Sequence, residues 1–480
     1  MANNAMDRGK SMTTRFIMRH QAELIALFIA SSAFFAIQLA IDAKAFTGDA
    51  GAYWALSSAI TEGTFPKTIR GYSYPLLLTP FRFAFDHSEQ AGLLLLKLGQ
   101  SIGYGYLFSI LFPNLYQVIF DAKPSAFTRL IPALLMAFAF PGLISYPLSD
   151  APSLGIMALA LYACIKAIKS QSFSLLIVAG LLAYLAYNTR TIYLFSFFTL
   201  MVIAAIFFSK SLKQRFFAST CFLLGALVGA APQMAINYSH HSTRTPLVVT
   251  DVRGAPLFAR QLAWGMIVDK YETHIDPQTK KAIPVFYANN NGALILQQNG
   301  GFENNQSVVK IAGLMTQHPI TFINIYLRHI ALALDVRDGE VYTRNPTSEK
   351  NIQSLILLSI VLFGLTQLGR AIFFQASSEP VNRRLLYTLV LLAPCIAIIP
   401  GAIETRFFLP IHCLSYCALA FGGIKKEAIA MQLACTAILT AAIFTFAAKS
   451  ADSPIHSRPE SYIPDLPPSS VPVITDKARG

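Results

Sequence analysis

A few charged residues stand out against an apolar background: Asp49, Asp150, Arg190, Glu404 and Arg406. Asp49 lies in FTGDAGAYWALSSAITEG, with Tyr53 and Trp54 four and five positions on. A carboxylate there can act as a general base if a substrate hydroxyl comes within hydrogen-bond reach. Arg190 (YNTRTIYLF) and Arg406 (AIETRFFLPIH) offer guanidinium groups, which bind phosphate oxygens in bidentate fashion. Arg70, Tyr72 and Tyr74 follow Asp49 in PKTIRGYSYPLLLTPFR, and Asp150 sits in YPLSDAPSLG. Each also has a plainer reading. Gly-Asp is ordinary turn chemistry, Tyr and Trp anchor at membrane interfaces, Ser149 or Asp150 can cap a helix, and arginine can snorkel from the end of a span. The combination points to a site: acids and arginines near the ends of several separate apolar runs suit a phosphate carried on a lipid.

The elements that must position these groups follow from composition. Of 480 residues, 54% are hydrophobic and 13% charged, against about 25% charged in soluble domains. Runs such as Leu130 to Pro147, Thr191 to Phe208 and Ala428 to Ala448 approach the ~20 residues that cross a bilayer as a helix. The predicted fold class is therefore an all-α polytopic membrane protein of about eleven spans, within nine to thirteen. They fall near 24–42, 91–113, 130–147, 151–166, 173–189, 191–208, 216–236, 352–370, 385–403, 407–424 and 428–448. Residues 1–236 form an N-terminal transmembrane module with a first external loop (43–90) carrying interfacial helices. Residues 237–351 form a larger external segment with interfacial helices, 352–448 the C-terminal spans, and 449–480 a Pro-rich tail expected to be extended or disordered. Within the external segment, Pro319 to Leu334 is interrupted by Arg328 and His329 and is read as an interfacial helix.

The net charge of +13 is a topology signal, because Lys and Arg cluster in alternate connections. Arg15 and Arg19, Lys123 and Arg129, Lys166 and Lys169, Lys213 and Arg215, Arg383 and Arg384, and Lys425 and Lys426 then share the cytoplasmic side with the N-terminus. Asp49, Arg70, Asp150, Arg190, Glu404 and Arg406 fall on the opposite face. Aromatic-interleaved basic patches of the kind that bind nucleic acid are absent from the sequence. The six cysteines lie within predicted spans, without CxxC spacing, so neither a disulfide framework nor a metal site is indicated. Weaker candidates are Lys97 inside a span, His240 and His241 as a metal pair, and Asp335, Asp338 and Glu340 as a cation-binding or exposed acidic turn. Asn237 and Asn305 match the glycosylation acceptor pattern.

In order and topology, the segments GDAGAYWALSSAI, RGYSYPLLLTPF, LSDAPSLGIMALALYA, LAYNTRTIYLF, PQMAINY and ETRFFLPIH resemble the GT-C superfamily of polytopic glycosyltransferases. That superfamily includes bacterial relatives of protein mannosyltransferases and aminoarabinose transferases. The resemblance implies an inverting transfer of a hexose or pentose from a polyprenyl-phosphate donor to a cell-envelope glycan, lipid or protein, outside the bacterial inner membrane. It places Asp49 as the catalytic base and Arg190 and Arg406, with Arg70, on the leaving phosphate. Tyr72, Tyr74, Asp150 and Glu404 complete the expected substrate-binding set. No cofactor is implied; with a single acid at GDAGAY, where some branches carry a pair, a divalent cation is left open but not indicated. Residues 239–351, which in that superfamily help to select the acceptor, match no motif. A transporter or flippase of a lipid-linked saccharide would also need arginines, but it predicts charges along the middle of several spans. An oligosaccharide polymerase or ligase shares the same topology and lipid-phosphate chemistry.

Overall fold

Apolar sequence and helical backbone coincide along most of the chain. The computed structural model describes residues 12–252, 254–276, 278–337, 342, 348–423, 426–450, 454–455 and 458–462. Among the described residues, seven helices are long and apolar enough to cross a membrane: His20–Ile41, Glu89–Phe120, Asp150–Ser170, Leu212–His241, Asn351–Phe373, Val381–Ile398 and Ile429–Ala447. Four further expected spans are shorter apolar helices, at Ala126–Ala139, Phe173–Thr189, Thr191–Phe207 and Thr405–Phe421. The run expected at 130–147 ends at Ala139 because Pro141 follows, and its ring disfavours the helical backbone at Phe140, which lies outside the helical region at φ −135°, ψ 54°. Phe28, Phe127, Leu212 and Phe216 each expose 73% or more of their surface, a pattern that water would penalise and a lipid bilayer satisfies.

In chain order, α1 (Met12–Ile41) leads into α2 (Gly48–Thr61) and α3 (Ser73–His87), which occupy the first loop. Helix α4 (Glu89–Tyr106) continues through a π-helical turn at Leu107–Leu111 into α5 (Phe112–Phe120), and α6 (Ala126–Ala139) and α7 (Pro141–Ser145) follow. The central layer is α8 (Asp150–Ser170), α9 (Phe173–Thr189), α10 (Leu194–Phe207) and α11 (Leu212–His241). Leu154, Met157, Ala158 and Leu161 of α8 are fully buried there. At one end of the bundle, Asp121 accepts from Ser378 and Lys169 pairs with Glu379. These contacts bring the Lys- and Arg-rich connections together.

The opposite end carries the segment after α11, and it is not purely helical. Its described residues form five helices: α12 (Leu257–Ile267), α13 (Asn290–Gln298), α14 (Gly301–Asn304), α15 (Val308–Gln317) and α16 (Pro319–Leu334). They are joined by β1 (Asp251–Val252) paired with β2 (Ala255–Pro256), and by β3 (Val268–Ile275) paired antiparallel with β4 (Ala282–Ala288). Helices α17 (Ser348–Phe373), α18 (Val381–Ile398), α19 (Leu409–Phe421) and α20 (Lys426–Ser450) complete the bundle. From the Pro-rich tail, β5 (Pro454–Ile455) joins the free edge of β4, so part of the tail is docked, not free.

Strand β3 is buried on both faces, so its polar residues must be paired. A register shift between Val268 and Lys270 re-aims Asp269, which accepts from Asn289 at 2.6 Å and from Arg328. Lys270 donates to the Asp335 carbonyl at 2.7 Å.

Candidate active site

Three carboxylates and three guanidiniums from five separate elements converge at the end of the bundle that carries β3. Asp49 is the second residue of α2 and Asp150 the first of α8, positions at which a helix dipole favours negative charge. Arg190 caps the C-terminus of α9, where positive charge is favoured. Glu404 and Arg406 come from the turn between α18 and α19, and Arg70 from the link between α2 and α3. The N-cap of α8 is Ser149, whose side chain makes no capping bond. Capping therefore does not account for Asp150.

Asp49 bridges two arginines: Oδ1 is 2.6 Å from Arg70 Nη2 and Oδ2 is 2.9 Å from Arg406 Nη2. Arg406 also reaches Glu404 Oε2 at 2.5 Å and Asp150 Oδ2 at 3.4 Å. The other Asp150 oxygen pairs with Arg190. The Arg190 guanidinium lies over the Phe407 ring at 4.5 Å and that of Arg70 over Tyr53 at 5.3 Å, both cation–π contacts. Accessibility divides the set. Asp49, Arg70 and Arg190 keep 38, 25 and 20% of their side chains accessible, whereas Arg406, Asp150 and Glu404 keep 5% or less. The first three are the most open to a ligand; Arg406 and Asp150 also line the cavity, and Glu404 lies behind Arg406.

Burial works against the charge on Asp49, but Arg406 and Arg70 outweigh it and hold the carboxyl well below the usual range. Burial lifts Glu404 to about 7, in spite of Arg406 beside it, with Glu272 and Asp49 adding repulsion. Arg190 is lowered from its ordinary value by burial and by the neighbouring Arg406 charge. Asp49 is therefore an anion throughout the physiological range, and Glu404 titrates within it.

The cluster opens into a cavity of about 670 Å³. Asp49, Arg70, Asp150, Arg190 and Arg406 line its polar end, and Leu194, Phe195, Leu257, Phe258, Pro394 and Ile398 line apolar walls. Phe195 and Phe258 remain 43% and 37% exposed, so the apolar side reaches the outer surface of the protein.

Of the residues singled out in the sequence, Asp49, Arg70, Asp150, Arg190 and Arg406 meet around the cavity, and Glu404 stands directly behind Arg406. Tyr72 and Tyr74 do not join them. The Tyr72 hydroxyl donates to the Gly229 carbonyl at 2.6 Å, and Tyr74 is buried against Tyr53, so both fasten α3 to its neighbours. The weaker candidates are placed elsewhere. Lys97 pairs with Asp42 at 2.7 Å, and His240 bonds the Phe65 carbonyl. Asn237 donates to the Thr245 and Leu247 carbonyls and Asn305 to those of Asn299 and Gly301, so both amide nitrogens are engaged. Asp335 is buried with Arg337 and is not part of an exposed turn; Asp338 and Glu340 lie outside the described residues.

Several cavity residues carry no sequence signal. Gln261 and Trp264 belong to a short apolar helix, Tyr271 to a strand that reads as a polar loop, and Tyr53 reads as an interface anchor. Neither a family model nor a curated protein matches this chain.

Proposed function

We propose that this protein is a membrane glycosyltransferase that moves a sugar from a polyprenyl-phosphate donor to a cell-envelope acceptor with inversion, on the non-cytoplasmic face of a bacterial inner membrane. One observation carries the reading: a carboxylate clasped by two arginines at the polar end of a cavity with apolar walls. A lipid phosphate satisfies both parts, its anion on Arg70 and Arg406 and its chain along the apolar side. Arginine is suited to this, since a guanidinium binds phosphate oxygens in pairs.

The ion pairs suggest the order of events. A free Asp49 held by two guanidiniums is a weak base. When the donor phosphate takes over Arg70 and Arg406, Asp49 loses its partners and its basicity rises. The acceptor hydroxyl then gives its proton to Asp49 as its oxygen attacks the anomeric carbon. The bond from that carbon to the phosphate oxygen breaks, and the electron pair leaves on the lipid phosphate, where the arginines stabilise it. A transporter would need charge along the middle of its path, whereas this cluster sits at one end of the helices and Lys97 is neutralised by Asp42.

Replacing Asp49 with Asn tests the reading with two measurements of opposite sign. Transfer from a panel of polyprenyl-phosphate sugars should fall by about 10²–10⁴-fold, the range of general base catalysis. Binding of bare polyprenyl phosphate should be retained or strengthened, because two guanidiniums are released. Undiminished transfer by Asp49→Asn would sink the assignment.

A further inference from the structure

We infer that β3 of the external segment, through Thr273 together with Tyr342, is the brace that sets the spacing between Asp49 and Arg406. The inference rests on the lipid-phosphate reading of the cluster and assigns positioning residues that carry no signal in the sequence.

The bonds form a closed circuit. Thr273 Oγ1 donates to Glu404 Oε1 at 2.9 Å, and the other oxygen of Glu404 holds Arg406 at 2.5 Å. The Thr273 carbonyl accepts from the Tyr342 backbone N–H at 2.9 Å. The Tyr342 hydroxyl in turn accepts from the Asp49 N–H at 3.0 Å, and its ring lies under the Arg406 guanidinium at 5.6 Å. Arg406 and Asp49 close the loop at 2.9 Å. A second tie runs one residue earlier: Glu272 accepts from the backbone N–H of Thr405 at 2.8 Å and from its hydroxyl. The Tyr271 N–H donates to the Ile403 carbonyl at 2.8 Å. Three consecutive strand residues therefore hold three consecutive residues of the 403–405 turn.

The first loop is shaped to accept this brace. Gly48 has φ +58°, and a Cβ there would lie 2.8 Å from the Tyr342 hydroxyl oxygen. Only glycine allows both the left-handed backbone and the approach. Asp49 and Arg406 are 357 positions apart in the chain, and nothing in the first loop alone fixes their distance. A buried threonine hydroxyl bonded to a carboxylate holds that carboxylate in one rotamer, and the rotamer decides where Arg406 points.

The full-length protein in detergent, titrated with farnesyl phosphate, provides the test. Wild type should bind it. Thr273→Val keeps the shape and removes the hydroxyl, and it should weaken binding by about tenfold, the range of a bond to a charged group. Thr273→Ser restores the hydroxyl and should restore affinity, a rescue that a purely structural role would not give. Tyr342→Phe provides a second variant, losing the acceptor for the Asp49 N–H, with affinity expected to fall about fivefold on the same scale. Wild-type affinity in both Thr273→Val and Tyr342→Phe overturns the brace and leaves the lipid-phosphate reading standing. Absence of binding by wild type overturns that reading and the brace with it.

Discussion

At the scale of single residues, the cluster separates two acids by their surroundings. Asp49 faces two arginines and stays ionised; Glu404 is fully buried, which lifts its carboxyl to about 7. The sign for Glu404 runs opposite to that of most carboxylates. The unfolded chain ionises near 4.5 and the native state near 7, so native stability from this group is lost as pH rises through that window. The same proton controls Arg406. A neutral Glu404 still accepts the Arg406 hydrogen bond and so keeps the guanidinium in place, but it no longer offsets its positive charge, which is left for an anion. Affinity for a polyprenyl phosphodiester, whose own charge is constant between pH 5.5 and 8.5, should rise about three- to tenfold as pH falls through 7. Glu404→Gln should bind tightly across the whole range. Calorimetric titration at several pH values measures this, and an unchanged slope in the variant would assign the titration to another group.

At the scale of elements, the link between α2 and α3 depends on one glycine. A Cβ on Gly71 would lie 2.0 Å from the Asn188 carbonyl oxygen and 2.5 Å from its side-chain oxygen. Next to it, Ser73 donates to Asn188 from its backbone at 2.9 Å and its hydroxyl at 2.6 Å, and Asn188 donates on to Gln233 at 2.9 Å. This relay seats Arg70 beside Asp49. Gly71→Ala should cost about 1–3 kcal/mol, as overpacking does, and should reduce lipid-phosphate binding more than Ala52→Ser on the neighbouring helix; thermal melts and titration check the two effects separately. How far such elements can be read from sequence depends on how burial is achieved. The long spans announce themselves because lipid-facing helices are apolar all round, as in Ile429–Ala447. Asp49, Arg190 and Arg406 stand out because charge is rare beside such runs. Strand β3 is hidden for the opposite reason: VDKYETHI looks like a solvated loop, yet each of its charges is buried with a partner elsewhere in the chain. Tyr72 and Tyr74 read as site residues because they follow Arg70 in sequence, but the relay through Ser73 turns both into packing contacts.

At the scale of the whole molecule, an early and a late segment of the chain meet around the same cavity. The first loop supplies Asp49 and Arg70, and the tail after α20 returns to brace the opposite wall. Pro454–Ile455 pairs with β4, Glu460 pairs with Arg260, and the Tyr462 hydroxyl donates to Asn290 at 2.5 Å. Arg260 is buried and lies over Trp264 at 5.5 Å, and Trp264 lines the cavity. Removing the chain beyond Ser450 would leave that guanidinium buried without its carboxylate, a loss of about 3–5 kcal/mol when one partner of a buried pair is deleted. The cost should fall on the 257–298 segment, because the tail is fastened to α12, α13 and β4. Hydrogen exchange should accelerate at 257–298 and stay unchanged in α8 and α9, which none of these described tail contacts reaches. Uniform acceleration in both would show that the 257–298 segment and the bundle unfold as one cooperative unit, so that the tail stabilises the whole protein instead of one cavity wall.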